Sequence, residues 1–245
     1  MVPILSPLQI GWLIALLAVW VALLFGGYVI GRPERLSHRR ISTVNCLLSS
    51  LVLVLAAWSW VIFVRKPPAA GFALLIAIGM SLGFLGDALM AGLISIGDRM
   101  LSGMAAFGLG HVAYIIAGLR FGDQSGFVAL WPRLSGWLLW LIVGVLGWYL
   151  VACRNSHPTF LHWAALLYSL LLASTAGVAT GLALQNARFV PFALGAGLFL
   201  FSDFLIAMRF FGGKSLRVLS LDDLIWLTYG PAQILIVYSV WPALA

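Results

Sequence analysis

Three residues of this sequence could transfer protons from within apolar surroundings: Asp87, His111 and Asp203. Each lies inside an apolar run of the length that crosses a bilayer, which is about 20 residues. Inserting an aspartate at the centre of a membrane helix costs about 3 kcal/mol, so such a residue faces a polar cavity or a partner. We predict that these three residues serve the function of the protein, with hydrogen bonding between helices as the structural alternative. The other acidic residues lie in connections or at the ends of runs: Glu34, Asp98, Asp123, Asp222 and Asp223.

Seven weaker polar residues accompany this trio, and we predict that they bind substrate. They are Asn45, Ser81, Tyr114, Tyr168, Ser202, Tyr229 and Gln233. At a rise of about 1.5 Å per residue, the three ionisable groups, Asn45, Tyr229 and Gln233 fall in the same half of the bilayer. This agreement in depth indicates one polar cavity. Ser81 is about 240° from Asp87 around its helix, so its hydroxyl is expected to bond back to its own backbone.

The composition indicates which elements must hold these residues. The chain has 245 residues, of which 63% are hydrophobic and 9% charged, with a mean hydropathy of +1.08. Soluble domains carry about 25% charged residues, and membrane barrels alternate over segments of about 10 residues. The sequence therefore predicts an all-α, polytopic membrane protein.

Eight membrane-spanning helices are predicted, in one integral domain covering residues 1–245. Their expected bounds are Ile10–Ile30, Ile41–Val64, Ala69–Leu93, Leu101–Leu119, Leu134–Val151, Phe160–Ala183, Val190–Phe210 and Leu224–Val240. The first run lacks a basic leader and a clear cleavage site, so we interpret it as a retained helix. Glycines such as Gly79, Gly83 and Gly86 are interpreted as points of close helix packing.

The basic residues of the connections indicate an orientation. Nine lie on one side of the predicted bundle and five on the other. The larger set is Arg32, Arg35, Arg39, Arg40, Arg99, Arg154, Arg209, Lys214 and Arg217, and the smaller is Arg65, Lys66, Arg120, Arg133 and Arg188. The positive-inside rule places the larger set in the cytoplasm. The formal charge of +7 is then expected to meet anionic membrane lipids rather than nucleic acid.

Two segments of the sequence resemble each other. The residues around Gly79-Met80-Ser81-Leu82 and Gly86-Asp87-Ala88-Leu89 align with Gly195-Ala196-Gly197-Leu198 and Ser202-Asp203-Phe204-Leu205. This repeat is consistent with two pseudo-symmetric four-helix halves, which would bring the two aspartates together about an axis along the membrane normal.

These motifs together resemble the YhhN-like transmembrane family, which includes the lysoplasmalogenases. The resemblance rests on Gly86-Asp87-Ala88-Leu89, on Gly103-Met104-Ala105-Ala106-Phe107-Gly108 leading to His111 and Tyr114, on Phe201-Ser202-Asp203, and on Tyr229 with Gln233. It covers nearly the whole chain. The family's second helix often begins with Lys and Pro close together, whereas this chain has Ile41-Ser42-Thr43-Val44-Asn45-Cys46. Asn45 and the preceding arginines would have to take over any role of that lysine.

The resemblance implies an ether hydrolase that acts on lysoplasmalogen, a lysophospholipid with a vinyl ether chain. Its products would be a fatty aldehyde and glycerophosphoethanolamine or glycerophosphocholine. Acid hydrolysis of a vinyl ether needs a protonated carboxyl group and an ionised one, roles that Asp87 and Asp203 could divide. His111 would orient one of them or relay a proton, and basic loop residues would meet the phosphate. The loop charges and the depth of the polar residues place the cavity toward the cytoplasmic leaflet, and we expect the membrane to be a bacterial inner membrane.

Other functions fit the same residues. A zinc hydrolase needs three or more protein ligands, and with one buried histidine and two isolated cysteines, Cys46 and Cys153, we predict neither a metal site nor a cofactor. A proton-coupled transporter would also use two membrane aspartates and a histidine. A lipid-binding or sensor protein is a third class. The sequence leaves the oligomeric state open.

Overall fold

The computed structural model describes residues 5–33, 39–154, 157–211 and 220–244. These residues contain eight long helices and no strand, which confirms the predicted all-α membrane fold. The helices are α1 Pro7–Ile30, α2 Thr43–Phe63, α3 Ala69–Met90, α4 Arg99–Gln124, α5 Leu130–Cys153, α6 Phe160–Gln185, α7 Val190–Phe211 and α8 Leu221–Tyr238. All eight are long and apolar enough to cross a membrane. Arg35, Lys214 and Arg217, used above for the orientation, lie outside the described residues, as do Glu34 and His38.

Polar caps place the helix starts a few residues from the edges of the apolar runs. The Asp98 carboxylate accepts a hydrogen bond of 2.9 Å from the Leu101 amide, so α4 begins at Arg99. Ser42 accepts from the Asn45 amide at 3.1 Å, so α2 begins at Thr43. Side chains that satisfy the free amides of a first turn stabilise the helix start. Apolar periodicity alone does not detect these caps.

Six of the helices form a ring. Its neighbours in order are α2, α3, α4, α6, α7 and α8, and α8 closes the ring against α2. The two remaining helices pack outside the ring: α1 packs against α2, and α5 packs against α6. These two helices are the least buried, with 22% and 17% of their apolar windows inside the protein. Both also contain a π-helical turn, at Ala22–Gly26 and Tyr149–Cys153.

The neighbour relations of the first four helices recur in the last four. The contacts of α2 with α3 and of α3 with α4 correspond to those of α6 with α7 and of α7 with α8. The halves meet through α4 with α6 and through α8 with α2. Asp87 on α3 and Asp203 on α7 therefore occupy equivalent helices, which face each other across the ring.

Candidate active site

Asp87 is held by two hydroxyl groups from two other helices. Ser50 Oγ on α2 donates a hydrogen bond of 2.5 Å and Tyr229 Oη on α8 one of 2.9 Å, both to Asp87 Oδ2. The aspartate is 6% exposed, so these bonds supply the polar contacts that water would otherwise make. They also fix the carboxylate relative to three helices.

A chain of polar side chains extends from Tyr229 into the protein. Gln233 Nε2, one turn further along α8, donates to Tyr229 Oη at 3.1 Å. Gln233 Oε1 accepts from Tyr114 Oη on α4 at 3.2 Å. All three residues are buried. These three residues, which were predicted to bind substrate, are thus hydrogen-bonded to one another, and this series of bonds orients the hydroxyl group that meets Asp87.

Asp203 has a similar environment in the second half. Tyr168 Oη on α6 donates to Asp203 Oδ2 at 2.5 Å. Each aspartate thus accepts a hydroxyl hydrogen bond from the preceding ring helix, α2 for Asp87 and α6 for Asp203. Asp203 is the less buried of the two carboxylates.

Both aspartates line one cavity of about 360 Å³ at the end of the bundle where α2 begins and α7 ends. Tyr229 and Phe107 contribute to its wall, and Arg39, Arg209 and Asp222 lie nearer the membrane surface. The remaining lining residues are Thr43, Leu47, Met90, Ala91, Ile206, Phe210, Ile225 and Trp226. The two carboxylates and the Tyr229 side chain thus border the same cavity.

A smaller apolar pocket of about 60 Å³ adjoins this cavity. The two share Met90, Phe107, Asp203 and Ile206. Beyond this shared wall the pocket lies between α4, α5, α6 and α7 and is lined by Met100, Met104, Trp148, Ala152, Ala165, Tyr168, Ser169, Leu172, Leu200, Phe204, Ala207 and Phe211. Asp203 therefore lies at the junction of the polar cavity and the apolar pocket, whereas Asp87 lines the polar cavity but not the apolar pocket.

Glycines on α3 make room for the site. A Cβ atom added at Gly79 would lie 2.3 Å from the Tyr114 ring, and one at Gly86 would lie 2.7 Å from the Phe107 ring. At Gly83 it would lie 2.9 Å from Gln233 Nε2. Distances below 3 Å are overlaps that force the neighbouring side chain to move. The glycines predicted as packing positions thus let side chains of the site lie directly on the α3 backbone.

His111 is close to the site but does not line the cavity. Its Nδ1 lies 2.9 Å from Thr175 Oγ1 on α6, and its ring packs edge-on against Phe199 at a centroid distance of 4.5 Å. Tyr114 and Tyr168 flank the same ring. Its Nε2 has no hydrogen-bond partner in the described part of the chain. The imidazole thus lies behind an aromatic wall formed by Phe199, Tyr114 and Tyr168. It is next to the hydrogen bonds of both tyrosines, and within the described residues it makes no hydrogen bond with either aspartate.

Of the seven residues predicted to bind substrate, Tyr229 lines the cavity and Tyr168 lines the adjoining apolar pocket. Tyr114 and Gln233 are linked to the cavity only through Tyr229. The other three make different contacts. Ser81 donates to the Ala77 carbonyl at 2.8 Å, as its angle on the helix indicated, and accepts from Trp58 Nε1. Asn45 packs against Gly27 of α1. Ser202 is fully buried and donates to the carbonyl of Phe199 at 3.0 Å. Asn45 and Ser81 thus contact α1 and α2 rather than the cavity, whereas the Ser202 hydroxyl also lies within hydrogen-bonding reach of the neighbouring Asp203 carboxylate.

Sequence reasoning missed Ser50, which contacts Asp87 more closely than any of the predicted substrate-binding residues does. The sequence did contain one signal for it, since Ser50 lies on the helix next to that of Asp87 and at a similar depth in the bilayer. It was weak because serine often bonds to its own helix. The places of Arg39 and Arg209 on the cavity were also not identified individually.

The site offers proton-transfer groups and few metal ligands. Within the described ranges, no three or more His, Cys, Asp or Glu residues cluster as a metal-binding group would. The two carboxylates could each exchange a proton with a bound molecule or with water. Hydroxyl groups are positioned to hold both.

Comparison with known proteins identifies the family of the chain. No curated protein and no solved structure gives a significant match. Residues 44–240 match the YhhN family. This match spans α2 to α8 and includes both aspartates, His111 and the Tyr229–Gln233 pair. The chain therefore belongs to the YhhN family.

Proposed function

We propose that this protein is a membrane-embedded hydrolase that cleaves the vinyl ether bond of lysoplasmalogen. One observation carries the proposal: two carboxylates line one cavity, and one of them also borders an apolar pocket. A lysoplasmalogen has a polar head and an apolar chain that meet at the vinyl ether. Membership of the YhhN family is consistent with this activity.

Hydrolysis of a vinyl ether begins with a proton transfer to carbon. The acid protonates the alkenyl carbon that does not bear oxygen, which gives an oxocarbenium ion. Water adds to the carbon that bears oxygen, and a base removes a proton from this water. The hemiacetal then breaks its bond to the glycerol oxygen, which gains a proton, and a fatty aldehyde leaves. The proton that the base received can return to the acid, so no cofactor is consumed.

The geometry supports a division of roles between the aspartates. Asp203 lines the apolar pocket, so the alkenyl carbon that enters this pocket would lie beside it. We assign Asp203 as the acid. Asp87 lines the polar cavity only, where water and the glycerol group would lie. We assign Asp87 as the carboxylate that stabilises the cation and activates water.

The surrounding residues would position these two groups. Ser50 and Tyr229 hold Asp87, and Tyr168 holds Asp203. Gln233 and Tyr114 orient Tyr229. His111 packs between the two tyrosine networks and would act through them rather than on the substrate. Because the apolar pocket is small, it would hold only the first carbons of the lipid's alkenyl chain. The rest of the alkenyl chain would extend between helices into the bilayer.

The cavity opens at the end of the bundle that carries Arg39 and Arg209. This is the end with more basic connections in the sequence. By the positive-inside rule, we place the cavity at the cytoplasmic leaflet of a bacterial inner membrane.

Turnover of a defined lipid by the purified protein tests the proposal. A 1-alkenyl lysophosphoethanolamine should give a fatty aldehyde and glycerophosphoethanolamine, measured by mass spectrometry. The matched 1-alkyl lipid, which lacks the double bond, should remain intact. In deuterium oxide, proton transfer to carbon should place one deuterium on the carbon next to the aldehyde. In ¹⁸O-water the glycerophospho product should stay unlabelled, because water attacks the alkenyl carbon. An unchanged alkenyl lipid, or ¹⁸O in the glycerol product, would contradict the proposal.

A further inference from the structure

Charged residues surround the mouth of the aspartate cavity. Arg39, Arg209 and Asp222 line it together with the two aspartates. Arg209 follows Asp203 by six residues on the same helix, which is about 9 Å along the axis. The glycerol group of a lysophospholipid separates its ether oxygen from its phosphorus by a comparable length, and an arginine side chain can cover the difference. Arg209 is thus at an axial distance from Asp203 that suits a group at the far end of the same molecule, and Arg39 lines the same cavity.

Asp223 determines where this mouth lies. Its carboxylate oxygens accept hydrogen bonds from the backbone amides of Arg40 at 2.8 Å and Ile41 at 3.0 Å. Asp223 is 1% exposed, so this contact is a buried one between the first turn of α8 and the segment that leads into α2. It ties the residue that follows Arg39 to the residue that follows Asp222, and both Arg39 and Asp222 line the cavity. The charged mouth is therefore part of the folded structure.

The two arginines differ in what holds them. The Arg39 guanidinium lies along the first turn of α2, where it donates to Thr43 Oγ1 at 3.1 Å and Cys46 Sγ at 3.3 Å. Arg209 forms an ion pair with Asp222. The Arg209 side chain is 55% exposed and that of Asp222 is 18% exposed, so this pair lies at the cavity rim and can exchange partners without leaving a deeply buried charge unpaired.

A zwitterionic head group matches this arrangement. Its phosphodiester is an anion that arginine recognises through paired N–H groups. Its protonated amine is a cation that can form an ion pair with a carboxylate. We propose that Arg39 and Arg209 bind the phosphodiester of the lysophospholipid, and that Asp222, released from Arg209, binds the amine of its head group. This inference rests on the proposed function and adds the residues that select the head group.

Binding of a lipid that cannot be hydrolysed tests this inference separately from turnover. The probe is 1-O-alkyl lysophosphoethanolamine, titrated into the full-length protein in detergent micelles. The phosphate-free probe is 1-O-alkylglycerol with the same chain, and the amine-free probe is the corresponding alkyl lysophosphatidic acid. Affinity is measured by titration, and the melting temperature of each variant is recorded to verify its fold.

Arg39→Gln and Arg209→Gln should each weaken binding of both phosphate-bearing lipids about tenfold or more, the scale of one charge-assisted hydrogen-bonding group. Binding of alkylglycerol should not change. Arg209→Lys keeps the charge but loses the paired N–H groups, so its loss should be smaller. Asp222→Asn should weaken the ethanolamine lipid and spare alkyl lysophosphatidic acid. The matched control is Arg120→Gln, at the opposite end of α4 from the cavity, which should bind all three probes normally.

Several outcomes would overturn the inference. One is wild-type affinity for the phosphate-bearing lipids in both arginine variants, and another is an equal loss of alkylglycerol binding. A third is competition by inorganic phosphate alone as strong as that by the lipid, which would indicate a site for a free anion. If the probes discriminate as expected while the alkenyl lipid is not cleaved, the head-group site stands and the proposed reaction does not.

Discussion

Tyr229 on α8 donates a hydrogen bond of 2.9 Å to the Asp87 carboxylate on α3. The tyrosine itself accepts from Gln233 and packs edge-on against Phe199 and Phe107. The ring therefore belongs to the packed core, and the hydroxyl belongs to the site. A substitution that removes only the oxygen separates these two roles.

Tyr229→Phe should lower turnover about 10-fold to 100-fold while the fold is retained, since a hydrogen bond to a charged group contributes about 1.5–3 kcal/mol. The matched control is Tyr238→Phe on the same helix, whose hydroxyl donates to the Leu13 carbonyl at 2.7 Å, outside the cavity lining. Its turnover should stay near that of the wild type. Initial rates and melting temperatures measure both effects. Equal activity of the two variants would remove Tyr229 from the mechanism.

Asp87→Asn and Asp203→Asn should each reduce turnover by at least about 10²-fold, the scale of general acid–base catalysis. Asparagine keeps the shape of the side chain but cannot exchange the proton. The double variant should be little worse than the poorer single one, because residues that act as a unit are not additive. If both single variants hydrolyse lysoplasmalogen at near wild-type rates, the mechanism is wrong even though the family assignment stands.

A solvent isotope effect provides an independent measurement on the unmodified protein. If protonation of carbon limits the rate, turnover of the alkenyl lipid should be slower in deuterium oxide than in water. The control is Tyr238→Phe, which should show the same ratio as the wild type because its hydroxyl lies outside the cavity. A ratio of one for both proteins would mean that another step, such as product release, limits the rate.

Gly86→Ala should destabilise the protein by about 1–3 kcal/mol, because the added methyl group would overlap the Phe107 ring. Phe107 borders both the polar cavity and the apolar pocket, so turnover should fall as well. Gly71→Ala on the same helix is the control, since no atom lies within 4 Å of its added Cβ. It should be neutral or stabilising by up to about 1 kcal/mol. Thermal unfolding in detergent measures both, and similar melting temperatures would contradict the packing argument.

The orientation can be tested by cysteine labelling of intact cells. In a background without Cys46 and Cys153, Pro33→Cys at the cavity end should be protected from an impermeant maleimide. Val128→Cys, at the other end and 58% exposed, should react. Permeabilised cells provide the positive control for both sites. The reverse pattern would place the cavity at the outer leaflet and leave the site geometry unchanged.

The sequence by itself determined the eight helices and the two aspartates that mark the site. Apolar runs of bilayer length can hardly form anything but helices, because hydrocarbon satisfies no backbone hydrogen bonds. Asp87 and Asp203 stood out for a related reason, since an acidic group in such a run is costly and needs a partner. Position along each helix also placed Tyr229 and Gln233 at the depth of Asp87.

Only the tertiary structure decided which helix faces meet. Lipid tails are as apolar as a protein core, so the pattern on a membrane helix does not distinguish its lipid-facing side from its packed side. For this reason Ser50, and not Asn45, proved to be the α2 residue that contacts Asp87, and His111 lies behind an aromatic wall rather than on the cavity. The junction of polar cavity and apolar pocket at Asp203 arises in the same way, since it forms where side chains from several helices converge and no single helix encodes it.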